Sequence, residues 1–302
     1  MQRKPTITPL AIFIGIWGVV LFSTKAVLVK LAYQYEINSL ELLLFRMLFA
    51  LPVYVTILVI LSRKKNGPKP GKDFLWIFLF GFLGYYLASY FDFLGLNYIK
   101  AGLERIILFI YPTIVVLLSY LFFREKLSRK QILAIVITYV GVVVTFWNEL
   151  GLSGPQTLWG GFLVFLSAVT YASYIVGSGW LIPKYGVLRF TCYAMLVSTA
   201  CVIVHYSLVE DWKLFDFPPI VYGYGIAMAL IATIIPSFLV SEAIKRMGAS
   251  NFSILGSLGP VSTIILAYFF LDETMTLTQL LGMLIVIGGV TFLAIRKKPK
   301  AG

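Results

Sequence analysis

The chain has 302 residues, 60% of them hydrophobic and only 13% charged. A soluble domain carries roughly a quarter charged residues, so that class is excluded; so is a β-barrel, whose short alternating segments are absent. The net charge of +12 does not describe a nucleic-acid surface, because the basic residues lie between apolar runs rather than on one face.

Ten apolar runs follow, each of about 20 residues and so able to cross ~30 Å of hydrocarbon as a helix. They are predicted at 9–31, 39–61, 74–96, 102–123 and 129–147, then at 157–181, 188–209, 219–243, 249–271 and 277–295. The first follows Gln2-Arg3-Lys4 but is too long for a signal-peptide core, contains Lys25 and lacks a small-residue cleavage site, so it reads as a membrane helix. The longest connection, Ser62 to Asp73, carries Asn66-Gly67-Pro68 and Pro70-Gly71 turn signals. A second linker, Asn148 to Gln156, with Gly151, Gly154 and Pro155, divides the chain into units 1–148 and 149–302. Such short connections leave no room for a soluble catalytic domain. Cys192 and Cys201 share one apolar run and indicate no disulfide framework.

The second unit repeats the first at an offset of 148 residues: Pro112 falls on Pro260, Tyr120 on Tyr268, Phe122 on Phe270, Glu125 on Glu273, Gln131 on Gln279 and Gly141 on Gly289. The loop charges do not repeat, since Arg124, Arg129 and Lys130 fall on Asp272, Leu277 and Thr278. Counted by alternate side, 19 Lys and Arg residues lie with the two termini and the even-numbered loops, and four (Lys30, Lys100, Arg105, Lys213) lie opposite. That bias predicts cytoplasmic termini. Because each unit has five spans, an odd number, the second unit is expected to be inverted relative to the first. Inverted repeats are a common construction of alternating-access transporters.

The repeated segments read Ala101-Gly102-Leu103-Glu104-Arg105, Tyr111-Pro112-Thr113 and Phe123-Arg124-Glu125-Lys126-Leu127, against Gly248-Ala249-Ser250-Asn251, Gly259-Pro260 and Leu271-Asp272-Glu273-Thr274. Over essentially its whole length the chain resembles the drug/metabolite transporter superfamily, specifically its ten-helix EamA-like permeases. The resemblance implies an all-α integral membrane protein of ten helices, a central cavity between the two halves and movement of small metabolites, often outward.

Charges inside the spans are the first candidates for binding. A charged side chain at a helix centre costs about 2.5–3.5 kcal/mol on insertion scales and faces protein or water by default. Lys25 lies about six residues, roughly 9 Å, from the outer end of its span. Arg46 lies at a similar depth and Asp92 somewhat shallower. At the 148 offset these three fall on Ser173, Ala194 and Val240, so the cluster belongs to one half only. Lys25 and Arg46 can attract an anionic or zwitterionic substrate; equally, Asp92 can form a helix-locking pair with either or serve as a coupling site. Glu104, nearer the outer surface with Glu41 and Arg105, is a further coupling or ion-pair candidate, although a helix N-terminus also favours a carboxylate there. Tyr85, Tyr111, Tyr171 and Tyr174 lie deep enough to line a pocket, where a ring with a hydroxyl suits substrates of mixed polarity. Ser257, with Asn251 and Ser253, offers neutral hydrogen bonds. Pro112 and Pro260, at equivalent mid-span positions, are read as kinks or hinges that free carbonyls toward a cavity.

Enzymatic signatures are poor. His205 is the only histidine, so no two-histidine metal motif exists, and no Walker lysine motif appears. No catalytic residue, metal, cofactor or nucleic-acid partner is therefore expected. The reading is a secondary transporter of small organic metabolites, such as amino acids, in a bacterial cytoplasmic membrane. Exporter is favoured over importer, and the protein is a monomer or a homodimer. The alternatives are an organophosphate or nucleotide-sugar exchanger, or a membrane enzyme or assembly protein acting on lipid.

Overall fold

The computed structural model describes residues 7–63, 71–99, 101–125, 127–145, 147, 154–212, 214–270 and 275–294. Among these residues every regular element is helical. In chain order they are α1 (Pro9–Ala32), α2 (Ser39–Ser62), α3 (Phe74–Gly95), α4 (Ala101–Leu108), α5 (Tyr111–Phe123) and α6 (Arg129–Thr145), then α7 (Pro155–Tyr185), α8 (Val187–Val209), α9 (Pro219–Met247), α10 (Ala249–Leu255), α11 (Leu258–Phe270) and α12 (Leu277–Ala294). Among the described residues seven helical stretches are long and apolar enough to cross a membrane, namely α1, α2, α3, α7, α8, α9 and the stretch Ala249–Phe270 that holds α10 and α11; α5 and α12 are shorter apolar helices. The apolar exterior, with Phe122, Leu208 and Leu277 more than two-thirds exposed, is a surface for lipid rather than water.

Local chemistry sets the helix ends. Thr8 accepts a hydrogen bond from the Ala11 amide at 3.1 Å, and Pro9 opens α1 where no donor is needed. Asn38 and Glu41 form a reciprocal capping box on α2, so Glu41 is a structural cap. At the opposite end of the bundle, Arg189 donates to the Leu61 carbonyl at 2.9 Å, and Asp73 accepts from Tyr185 at 2.8 Å and from Lys184 at 3.2 Å. Those two bonds hold the Asp73 carboxyl below the usual carboxylate range. The ends of α2 and α7 thus meet the starts of α8 and α3, as expected of helices that alternate in direction.

The interior deviates from ideal helix at positions that repeat. A π-helical turn at Phe82–Leu87 interrupts α3 and another at Leu230–Ile234 interrupts α9, and the 148 offset carries Phe82 onto Leu230. In α9 the turn directly precedes Pro236, whose missing N–H breaks the regular ladder. The predicted continuous span 102–123 is broken at Phe109–Ile110, and its counterpart is broken at Gly256–Ser257. Pro112 consequently sits in the first turn of α5 and Pro260 in the first turn of α11. Each proline opens the helical segment that follows the break, where its missing N–H costs no hydrogen bond. Near the first break, the Tyr139 hydroxyl lies 2.6 Å from Thr113 Oγ1 and donates to the Phe109 carbonyl at 3.4 Å.

Close packing also recurs. A Cβ added at Gly141 on α6 would lie 2.7 Å from the Val286 backbone nitrogen on α12, and one at Gly289 would lie 2.7 Å from Thr138 Cγ2. Gly289 and Val286 are the offset counterparts of Gly141 and Thr138, so the two contacts are reciprocal. In the same way α1 packs on α9 through Gly18, while α3 packs on α7 through Gly95 and Gly160. Small residues at such crossings let apolar helices approach closely without a hydrophobic driving force between them. The counterpart of Glu125, Glu273, lies outside the described residues.

Candidate functional site

At the centre of the bundle α1, α4, α5, α7, α9, α10 and α11 enclose a cavity of about 40 Å³. Its wall includes Phe22 and Ser23 from α1, Arg105 from α4, Tyr111 from α5, Tyr171 from α7 and Gly259 from α11. Both sequence units therefore contribute. The volume suffices for a few water molecules and not for a metabolite. Larger hollows lie at the end where Lys184, Arg189 and Lys245 gather: one of about 370 Å³ bounded by Glu125, Trp180 and Lys245, and a rim groove of about 530 Å³ beside Arg189 and Glu242. The groove is the larger but lies away from the buried charges, so the small central cavity is the better candidate site.

Beside this cavity is a cluster of five buried charges. Lys25 Nζ lies 2.5 Å from Asp92 Oδ2, tying α1 to α3, with both side chains at most 4% exposed. The same ammonium sits over the Phe22 ring at 5.1 Å, so Lys25 stands directly behind one wall of the cavity. Arg105 Nε lies 3.0 Å from Glu104 Oε2, and both side chains are at most 5% exposed. Glu104 and Arg105, expected near the outer membrane surface, are both buried, and Arg105 reaches the cavity wall. The third cation, Arg46, is 1% exposed and donates to Ser89 Oγ at 2.9 Å, with its guanidinium 5.4 Å from the Phe93 ring. Its Nε and Nη1 atoms have no hydrogen-bond partner among the described residues. Asp92 therefore pairs with Lys25 and leaves Arg46 with a serine. The Glu104 carboxyl also lies close to that of Asp92, so two neighbouring carboxyl groups stand among three cations.

The tyrosines separate into two layers. Tyr111 and Tyr171 line the cavity edge to face, ring centroids 5.4 Å apart, and Tyr111 donates to the Ser253 carbonyl at 3.3 Å. Tyr85 and Tyr174 lie behind them in the contact between α3 and α7, rings 4.8 Å apart and hydroxyls 3.3 Å apart. Ser257 is buried at the α10–α11 break, where its hydroxyl donates to the Ile254 carbonyl at 2.5 Å. Pro260 follows Gly259 of the wall, while Pro112 adjoins Tyr111. Sequence reasoning missed Arg105, Phe22, Ser89 and Phe93. The signal available for Arg105 was its adjacency to Glu104 one turn from a helix start.

A lipid-facing helical bundle with ionisable groups gathered at its centre defines a multi-pass membrane protein. The EamA-like transporter family matches the chain twice, over residues 9–147 and 158–295, and the chain belongs to that family. It is 30% identical to the uncharacterized transporter YcbK of Bacillus subtilis, over 91% of this chain and 88% of that protein. It is 25% identical to an uncharacterized transporter of Archaeoglobus fulgidus, over 96% and 98% respectively, and 24% identical to protein PecM of Dickeya dadantii, over 80% and 82%. A solved crystal structure with 17% sequence identity superposes with a TM-score of 0.77 over 95% of this chain and 98% of the other, which establishes the same fold.

Proposed function

We propose that this protein is a secondary transporter that exports a small carboxylate-bearing metabolite, an amino acid or a related amphiphile, across a bacterial cytoplasmic membrane. The observation that carries this reading is the excess cation beside a cavity walled by both units: a cluster of Lys25, Arg46 and Arg105 against Asp92 and Glu104. One added carboxylate would balance it. Tyr111 and Tyr171 would pack the substrate's apolar part, with Tyr85, Tyr174 and Ser257 holding the wall from behind.

Ten spans, arranged as two inverted five-helix units at 1–148 and 149–302 with cytoplasmic termini, form the proposed scaffold. The reciprocal contacts at Gly141 and Gly289, the paired π turns and the double family match support it. In that scaffold α4–α5 and α10–α11 are each one span, and Pro112 and Pro260 restart the helix beside the cavity. Rocking of the units around the occluded centre would expose it to either side. Three cations do converge, as an organophosphate exchanger would need, but two are offset by carboxylates. A single excess charge suits a monocarboxylate better than a phosphate dianion.

A metabolite screen tests direction and substrate class together. Deletion is expected to raise one intracellular carboxylate and overproduction to raise the same compound in the medium. The opposite pattern, depletion inside the deletion strain, would contradict export.

A further inference from the structure

Arg46 is hard to explain as a structural residue. It is 1% exposed, spends one N–H on Ser89, and leaves Nε and Nη1 without partners in the middle of an apolar bundle. Buried guanidinium groups are normally paired, because leaving such donors unsatisfied is costly. An anionic partner stands nearby on the same helix. Ser89 and Asp92 are three residues apart on α3 and so share a face, one turn apart. Phe93 lies between the two cations, its ring 5.9 Å from Lys25 Nζ and 5.4 Å from the Arg46 guanidinium carbon.

We infer that Asp92 is a two-position carboxylate switch, resting on Lys25 when the site holds no substrate and moving to Arg46 when a substrate carboxylate takes its place on Lys25. The inference rests on the carboxylate-transporter reading above and says how that site senses its occupant. In the resting arrangement Asp92 stands in for the substrate's own carboxylate, which is why Lys25 is already paired at 2.5 Å. In the occupied arrangement three ion pairs form from three cations: substrate with Lys25, Asp92 with Arg46, and Glu104 with Arg105. Each buried cation of the protein then has a carboxylate partner.

The exchange also has a mechanical consequence. The Lys25–Asp92 pair ties α1 to α3, whereas an Asp92–Arg46 pair ties α3 to α2. Substrate binding therefore releases α1, which forms part of the cavity wall, from a helix that does not line the cavity. A ligand without a carboxylate cannot make the exchange and leaves α1 tied. Other ends of the same helices stay fastened independently, since Lys30 on α1 donates to the Leu96 and Ile99 carbonyls at 2.8 and 3.1 Å.

The test is equilibrium binding of a radiolabelled amino-acid panel, and of the carboxamide of each amino acid that binds, to the purified full-length protein. Asp92→Asn removes the competing carboxylate, so the amino acid should bind tighter by on the order of tenfold, the scale of a typical coupling between linked equilibria. Its carboxamide should bind as before. Arg46→Gln removes the second position, so the amino acid should bind more weakly by a similar factor with the carboxamide unchanged, and Arg46→Lys should recover part of the loss. If wild-type protein binds no member of the panel, the carboxylate-transporter reading fails and the switch with it. If wild type binds but both variants shift amino acid and carboxamide alike, or shift neither, Asp92 does not exchange partners and only the switch is overturned. Should Asp92→Asn fail to fold, the Arg46→Gln and Arg46→Lys pair decides.

Discussion

Removing Lys25 and Arg46 together, as Lys25→Met/Arg46→Met, will destabilise the protein by about 3–5 kcal/mol, the scale of stranding one member of a buried ion pair. Asp92 is fully buried, and its 2.5 Å partner is Lys25. With Lys25→Met alone, Asp92 can turn to the unsatisfied nitrogens of Arg46, which bonds Ser89 one turn from Asp92 on α3. Most of the penalty is then avoided. With Arg46→Met alone the Lys25 pair is intact. The double variant leaves the carboxylate without either cation, so its loss should clearly exceed the sum of the two single losses, as coupled neighbours do. Thermal unfolding midpoints and reversible denaturation in detergent give the comparison. Adding Asp92→Leu to the double variant should restore much of the stability, because an apolar replacement of a buried ion pair is often neutral. Transport should stay absent in all these variants that lack Lys25. Strict additivity of the two single losses would remove the physical basis for Asp92 serving both cations.

The second large effect is steric. Gly84→Val should cost about 1–3 kcal/mol or more, the usual penalty for forcing extra methyl groups into a packed core, and should abolish transport. A Cβ at Gly84 would overlap Tyr174 at its Cβ and Cγ atoms. The Tyr174 Cβ is fixed to the α7 backbone and cannot rotate away. Relief requires α3 and α7 to separate, which pulls Tyr85 from Tyr174 and loosens the layer behind the cavity wall. Removing the partner's Cβ should compensate: Gly84→Val/Tyr174→Gly is expected to recover part of the stability lost in Gly84→Val, without recovering the tyrosine contact or full transport. A Gly84→Val protein with wild-type stability and flux would show that this crossing does not support the site.

Much of the scaffold is readable from hydropathy, because each run must be apolar enough to face lipid. The predicted 39–61 became Ser39–Ser62, and the predicted 188–209 became Val187–Val209. The breaks inside 102–123 and 249–271 were not readable, since Phe109-Ile110 and Gly256-Ser257 keep the runs apolar or small and hydropathy is blind to a missing turn. The 148 offset brings the two breaks to within one residue of each other, and the repetition was visible in Pro112 and Pro260. The site was only partly legible. The cost of burying a charge singled out Lys25, Arg46 and Asp92, but which cation takes Asp92 depends on the rotation of three helices about their axes. Nothing in the linear spacing encodes that rotation. Arg105 was counted as a loop charge because it stands close to a span boundary, yet α4 turns it inward to the cavity wall.

The central claim is that the site beside Lys25 and Arg105 passes small carboxylates across the membrane. Counterflow in proteoliposomes tests it most directly: vesicles loaded with one unlabelled amino acid are placed in a trace of the same compound in radiolabelled form. For at least one amino acid, the label should accumulate transiently with wild-type protein and not with Lys25→Met. Absence of counterflow for every carboxylate tried, or equal counterflow with Lys25→Met, would contradict the account.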